Sequence, residues 1–255
     1  MSSFSEQEQI RRKKLEHLRV LGINPYPAPL YPIDSNSKII SKDFIENKKI
    51  FVLGGSGLLG SEICRVLSKQ GAKITNLDLK KKKKLKNKKK YFKIDLSKFN
   101  LIEKELKRSF KKYGTPHCFI NCSYPSNNDW KNSSFKNVTE NSIQQNVSLH
   151  LNSYIWVARI FAEQMRKKKI KGSIVQFGSL YGVVGQNTNI YKGTKMKENM
   201  IYSAIKGGII SNTRQMSTHY GKFGIRVNTI CPGGVQGHVK NLGNKQPKKF
   251  LKNFQ

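Results

Sequence analysis

The sequence predicts an α/β chain in which helices cover both faces of a parallel sheet. Three observations carry that prediction. From Lys48 onward, short apolar runs of strand length alternate with longer helical patterns. Glycines close those helical patterns, at Gly71, Gly114 and Gly221. The first strand–helix junction carries glycines at fixed spacing, Gly54, Gly57 and Gly60. Regular alternation favours parallel pairing, because a parallel neighbour can be reached only through a crossover of about helix length.

In order, Lys49–Leu53 reads as the first strand and 58–70 as the first helix. Lys73–Asp78 is the second strand, followed by a solvated Lys-rich loop over 80–90. A third strand is expected over 91–95, a helix over 101–113 and a fourth strand over 117–121. A single long helix spans 140–168 and leads to a fifth strand, Ser173–Phe177. The last helix is placed at 200–220 and the sixth strand at 225–230. Ahead of all this lies a different segment. Ser5 and Glu8 form a capping box, and the helix expected over 6–21 sets Ile10, Leu15, Leu18 and Leu21 near one face. Arg11, Arg12, Lys13 and Lys14 fall elsewhere on it. Gly22 and Asn24-Pro25 stop it, and Pro25, Pro27, Pro29 and Pro32 keep the chain extended. The division expected is an extension over 1–47 and a sheet domain over 48–255.

Composition narrows the function classes. Lys and Arg total 48 against 15 Asp and Glu, a formal net charge of +33. Such a field attracts polyanions. The Lys residues are spread along the chain, though, and do not alternate with aromatics as a base-stacking platform would. Lys, Asn and Ile are abundant together, as biased codon usage in an AT-rich genome would make them. The four cysteines, Cys64, Cys118, Cys122 and Cys231, form no CxxC pair and no zinc pattern, so a reducing cytoplasm and no metal are expected. No apolar run is long enough for a membrane span or a signal core.

The glycine turn points to a nucleotide. In Gly54-Gly55-Ser56-Gly57-Leu58-Leu59-Gly60, glycines allow a tight bend and close approach of the backbone to a pyrophosphate. The following helix N-terminus presents N–H donors. Asp78 ends the second strand, 18 residues after Gly60 (78 − 60), where a carboxylate accepts ribose hydroxyls and repels a 2′-phosphate. This favours NAD, while the Lys run from Lys80 keeps NADP possible. Asp95-Leu96 and Asn121-Cys122-Ser123 close the third and fourth strands, where sheets of this Rossmann type bind ligands.

Tyr202 and Lys206 are four apart, on one helical face. A phenol with an ordinary pKa near 10 exchanges protons poorly at neutral pH. A nearby ammonium stabilises phenolate, making Tyr202 a candidate general acid/base. Lys206 would also hold the ribose of a nicotinamide nucleotide. Ser179, just after the fifth strand, is placed to hydrogen-bond a substrate oxygen.

Taken with Arg226-Val-Asn228 and Pro232-Gly-Gly, these motifs resemble the short-chain dehydrogenase/reductase family over about residues 48–235. The stretches NCSYP, LYGVVG, YSAIKGGI and RVNTICPGGV are similar to a subgroup linked to bacterial surface sugar or flagellin modification. The resemblance implies an NAD(P)-dependent oxidoreductase acting on a carbonyl/alcohol pair, perhaps in surface polysaccharide biosynthesis. It implies cofactor contacts at Gly54, Ser56, Gly57, Leu59, Gly60, Asp78, Asp95, Leu96, Asn121, Cys122, Ser123, Tyr202, Lys206, Pro232, Gly233 and Val235, and a homo-oligomer.

Three departures stand out. The family's long-helix Asn, which anchors a water in the proton relay, aligns with His150 in LHLNS; Asn146, one turn earlier, is the alternative. His150 either relays protons or is a polar core residue. Ser179 and Tyr202 are 23 positions apart (202 − 179), and the polar insert between them makes Tyr191 a candidate substrate contact. The chain ends at Gln255, where the family would add a further helix and strand. Separately, SEQEQIRRKKLEHLRVLGINPYP resembles the N-terminal helix of bacterial lysyl-tRNA synthetases over about the first 45 residues. The rival reading is therefore a basic module that binds tRNA or other polyanions.

Overall fold

A computed structural model of the chain describes residues 13, 14, 16, 17, 19–21, 45–81, 90–235 and 248–254. The chain separates into two compact units, Met1–Ser41 and Lys42–Gln255. In the first, residues 13, 14, 16, 17, 19 and 20 are helical, and the Leu21 amide donates to the His17 carbonyl at 3.1 Å. The capping box of Ser5 and Glu8, most of the expected apolar face, the proline strap and residues 82–89 of the Lys-rich loop lie outside the described residues.

The second unit is built on β1 (Lys49–Leu53), α1 (Leu58–Lys69), β2 (Lys73–Asp78), β3 (Lys90–Lys93), α2 (Ile102–Tyr113) and β4 (Cys118–Asn121). It continues with α3 (Glu140–Asn146), a π-helical turn (Val147–Asn152), α4 (Ser153–Lys167), β5 (Ser173–Phe177), α5 (Met200–Gly221), β6 (Arg226–Ile230) and α6 (Lys248–Phe254). All strands pair in parallel in the order β3-β2-β1-β4-β5-β6. The chain thus leaves β1 in one direction and returns to pair β4 on its other side, so the order reverses between β1 and β4. Ligands of such sheets bind at that crevice.

The pleat sorts β1 between two layers. Phe51 and Leu53 face the layer holding α2 and α4, while Ile50 and Val52 face Cys64 of α1. Phe161 of α4 centres the larger layer: its ring stacks on Phe119 with centroids 3.7 Å apart and meets Phe110 edge-on at 5.0 Å. Among the described residues no helix is long and apolar enough to cross a membrane.

Two elements differ from the sequence reading in ways that matter to the site. The expected single helix over 140–168 is interrupted by the π turn, which adds a residue to one turn and re-aims side chains. Gly221 is the last residue of α5, as expected, but the left-handed residue that turns the chain is Gly224, φ +71°. In addition, α6 follows β6, and its Asn253 amide donates to the Ile190 and Lys192 carbonyls at 3.2 and 3.0 Å.

Candidate active site

The glycine turn is fixed to both neighbouring strands. Gly54, at φ +78°, donates to the Leu77 carbonyl and accepts from the Gly57 amide, both at 2.9 Å. A Cβ at Gly54 would stand 2.7 Å from the Ser123 backbone, so the ends of β1 and β4 approach as closely as a missing side chain permits. The Ser56 amide donates to Asp78 Oδ2 at 2.9 Å, and the Lys80 amide donates to Oδ1 at 3.2 Å. Each carboxylate oxygen keeps a lone pair for a further donor. Asn76, buried on β2, donates to Ser56 Oγ at 3.0 Å and locks the turn to that strand.

The other strand ends are less uniform. Asp95 is turned inward on its own loop, accepting from Ser97 Oγ at 2.6 Å; that bond holds its carboxyl below the usual range. Leu96 packs against the core layer. Asn121 is fully buried; its Oδ1 accepts from Ser123 Oγ at 2.7 Å, while its Nδ2 has no partner. Cys122 donates its thiol to the Leu53 carbonyl, and burial pushes that thiol up to about 12, so it is not a nucleophile. The Pro232 carbonyl accepts from the Leu180 amide at 3.0 Å, tying the segment after β6 to Ser179; Gly233 and Val235 are exposed beyond it.

Ser179, Tyr202 and Lys206 come together at the carboxyl end of β5. Asn199 caps α5 by accepting from the Tyr202 amide at 2.9 Å, which fixes where the phenol starts. Ser179 hydrogen-bonds the Tyr202 side chain. Lys206 is 3 % exposed; its ammonium donates to the Phe177 carbonyl at 2.8 Å and lies 5.7 Å from the Tyr202 ring centroid. The sequence reading expected this ammonium to lower the Tyr202 pKa. In this site burial raises it, with the Ser179 bond opposing in part.

His150 and Asn146 separate clearly. Asn146 is consumed by the loop before α3, accepting from the Asn127 amide at 3.1 Å and donating to Asn127 Oδ1 at 2.9 Å. His150, raised on the π turn, places Nε2 3.5 Å from Lys206 Nζ. Tyr191 lies in the insert, its hydroxyl donating to Gln186 at 3.3 Å and its ring stacked on Phe250. Sequence reasoning missed the aromatic wall. Tyr124 and Trp130 meet edge-to-face at 5.8 Å, and each stands within 6.3 Å of the Tyr202 ring. Their only signal was position: Tyr124 directly follows the Asn121-Cys122-Ser123 turn.

The sequence model of the short chain dehydrogenase family matches residues 48–248. The chain belongs to that family. Over 212 residues it is 27 % identical to the post-translational flagellin modification protein A of Campylobacter coli, covering 78 % of this chain and 81 % of that one. A solved short chain dehydrogenase from Leptospira borgpetersenii serovar Hardjo-bovis, with bound NAD+, superposes at TM-score 0.69 and 26 % identity, covering 89 % of this chain and 83 % of that one. A stretch of 54 residues is 50 % identical to the lysine–tRNA ligase of Christiangramia forsetii. It amounts to 21 % of this chain and 10 % of the ligase, in keeping with the synthetase resemblance.

Burial of Lys206 has a measurable signature for this family member. Desolvation lowers its pKa from 10.5 to about 8. Between those values the unfolded chain binds the proton that the folded chain has released, so stability rises with pH across that window. Below about 8 both states are protonated and the full cost of burying the charge is present. Relative to Lys206→Met, the wild type should therefore gain on the order of 3 kcal/mol from about pH 8 to 10.5. Denaturant unfolding of both proteins at the two ends of the window measures it; parallel pH profiles would contradict the assignment.

Proposed function

We propose that the chain is an NAD-dependent oxidoreductase that interconverts a carbonyl and an alcohol. The observation that carries this is the convergence of Ser179, Tyr202 and Lys206 beside the glycine turn. Bound NAD would supply or accept the hydride. Every other task falls to the chain. Asp78 accepts the adenosine ribose hydroxyls, and the Gly54–Gly60 turn and the start of α1 hold the pyrophosphate. The partnerless, buried Asn121 Nδ2 fits a ligand acceptor at the strand crevice. Ser179 orients the substrate oxygen, Tyr202 exchanges its proton, and Lys206 faces the nicotinamide ribose.

The substrate class we favour is a sugar or nucleotide sugar. Tyr124 and Trp130 offer flat faces for the C–H side of a ring beside Tyr202. Tyr191 is the insert's aromatic contact. The four cysteines, Cys64, Cys118, Cys122 and Cys231, form no disulfide with one another, which supports a cytoplasmic setting.

Thermal unfolding with each dinucleotide tests the cofactor assignment. At about 100 Kd, binding stabilises by about 2.7 kcal/mol, a midpoint rise of roughly 5–10 °C for a domain of this size. NAD(H) should give that rise and NADP(H) a much smaller one, because Asp78 faces the 2′-phosphate. Asp78→Asn should narrow the difference. Equal responses in the wild type would remove Asp78 as the selector; no response to either would remove the enzyme reading.

A further inference from the structure

We propose that the amino-terminal edge of the sheet, opposite the candidate active site, is a binding face for single-stranded RNA. It is independent of the oxidoreductase reading and gives the same domain a second partner.

The topology gathers positive charge at that edge. Backbone bonds join the strand starts into one row. The Lys73 amide donates to the Lys48 carbonyl, His117 to Lys49, Ser173 to His117 and Arg226 to Gly172, all at 2.9–3.0 Å. Lys48, Lys73 and Arg226 are exposed there. Helices α2, α4 and α5 share one layer and run against the strands, so their C-terminal ends arrive at the same edge. Lys111 and Lys112 lie in the last turn of α2, Arg166 and Lys167 in that of α4. Lys168, Lys169, Lys171 and Lys222 follow in the connections, all exposed.

The acids are gathered at the other end. Asp78 ends β2, Glu103 and Glu105 open α2, and Glu140 opens α3, all toward the carboxyl edge. Among the described residues of this domain, only Glu46 and Glu163 bring acidic side chains to the amino edge. Glu163 is already held by Arg166 at 2.8 Å and by the Tyr220 hydroxyl at 3.1 Å. Helix dipoles account for cations in the last turns of helices. They do not account for Lys48, Lys73, Lys171 or Arg226, which lie on strand starts and connections. The field is felt within the edge: burial first, and then Lys48 and Lys49, hold the His117 imidazole below its ordinary value.

Charge alone would suit any polyanion. An aromatic ring narrows the class. Phe223, between α5 and β6, is 37 % exposed. The Arg166 guanidinium lies 5.6 Å from its ring centroid and the Lys222 ammonium 5.3 Å. Such a ring offers its face to an unpaired base while the flanking cations meet the adjacent phosphates. A duplex hides its base faces, and a lipid headgroup has none to stack. RNA is the nucleic acid whose loops and ends expose such bases.

Fluorescence anisotropy of the full chain with a labelled oligouridylate of about 20 nucleotides, at several salt concentrations, tests the face. The triple variant Lys112→Gln, Lys168→Gln, Lys222→Gln should bind ~10-fold or more weakly at about 0.1 M salt. Its slope of log affinity against log salt should be shallower by about 2, as three lost phosphate contacts require. Lys131→Gln, Lys136→Gln, Lys195→Gln removes the same charge from exposed positions toward the carboxyl edge and should change affinity by less than about 2-fold. Phe223→Leu should weaken binding about 5-fold or more with the slope unchanged. Saturating NAD+ should leave RNA affinity unchanged, because the crevice lies at the opposite end of the strands. In the wild type, a 4-thiouridine probe should photocrosslink within 163–173 or 214–226. Absence of RNA binding, equal losses in the two triple variants, or competition by NAD+ would each overturn the proposal. So would crosslinks confined to the carboxyl edge. Vesicles of phosphatidylserine and phosphatidylcholine that displace the RNA, together with indifference to Phe223→Leu, would overturn it in favour of a membrane face.

Discussion

Tyr202→Phe should lower turnover by about 10²–10⁴-fold while leaving the NAD-induced rise in unfolding midpoint intact. The substitution removes one hydroxyl and nothing else. The ring keeps its contacts with Trp130 and Tyr124, and the amide keeps its bond to Asn199 Oδ1. In the proposed assignment, cofactor binding relies on the glycine turn and Asp78, which do not touch that hydroxyl. What is lost is the group that Ser179 hydrogen-bonds and that lies beside the buried ammonium. Burial raises the Tyr202 pKa, so the free site favours the protonated acid, ready to protonate a carbonyl oxygen. Oxidation needs phenolate instead, so its rate should climb with pH more steeply than that of reduction. Turnover surviving within a factor of a few would reassign proton transfer to another group, with Tyr181 and Tyr124 the nearest phenols to test.

The fold was largely legible because its signals are local. Strand β1, β2 and β5 boundaries follow from apolar runs bounded by Lys, Gly and Ser, and Gly71 and Gly114 end their helices at positive φ, as glycines there should. Gly221 does end its helix, but the left-handed turn falls at Gly224, which only tertiary contacts decide. The π turn was illegible for a related reason. Val147–Asn152 has an ordinary helical pattern, and the π turn carries His150, whose neighbour Lys206 is 56 residues away. In the site, residues at strand ends were placed by spacing alone. The aromatic wall was not, since Trp130 reaches Tyr202 through a loop whose path depends on the Asn199 amide donating to the Trp130 carbonyl.

Gly54→Ala should lower the unfolding midpoint by roughly 5–15 °C and abolish the response to NAD. Two costs add. Alanine at φ +78° is strained by about 1–2 kcal/mol. Its methyl would also stand 2.7 Å from Ser123 N and Cα and 2.9 Å from the Cys122 carbonyl carbon, all backbone. Overpacking of that kind costs about 1–3 kcal/mol, and each kcal/mol is worth about 2–4 °C here. Relief requires the end of β4 to move away from β1. The Asn121 side chain resists, because its Oδ1 holds Ser123 Oγ, and so does Tyr154, which donates to the Ser123 carbonyl at 2.6 Å. Whatever yields, the crevice between β1 and β4 changes width where the pyrophosphate and nicotinamide would lie. Gly221→Ala is the control: nothing lies within 4 Å of its added Cβ, and it is the last residue of α5. It should be neutral or stabilise by about 0.5–1 kcal/mol through helix propensity, with full NAD response. If both variants lose the response alike, the glycine turn is not what reads the nucleotide; if Gly54→Ala alone loses it, the close approach of two strand ends is the feature on which binding depends.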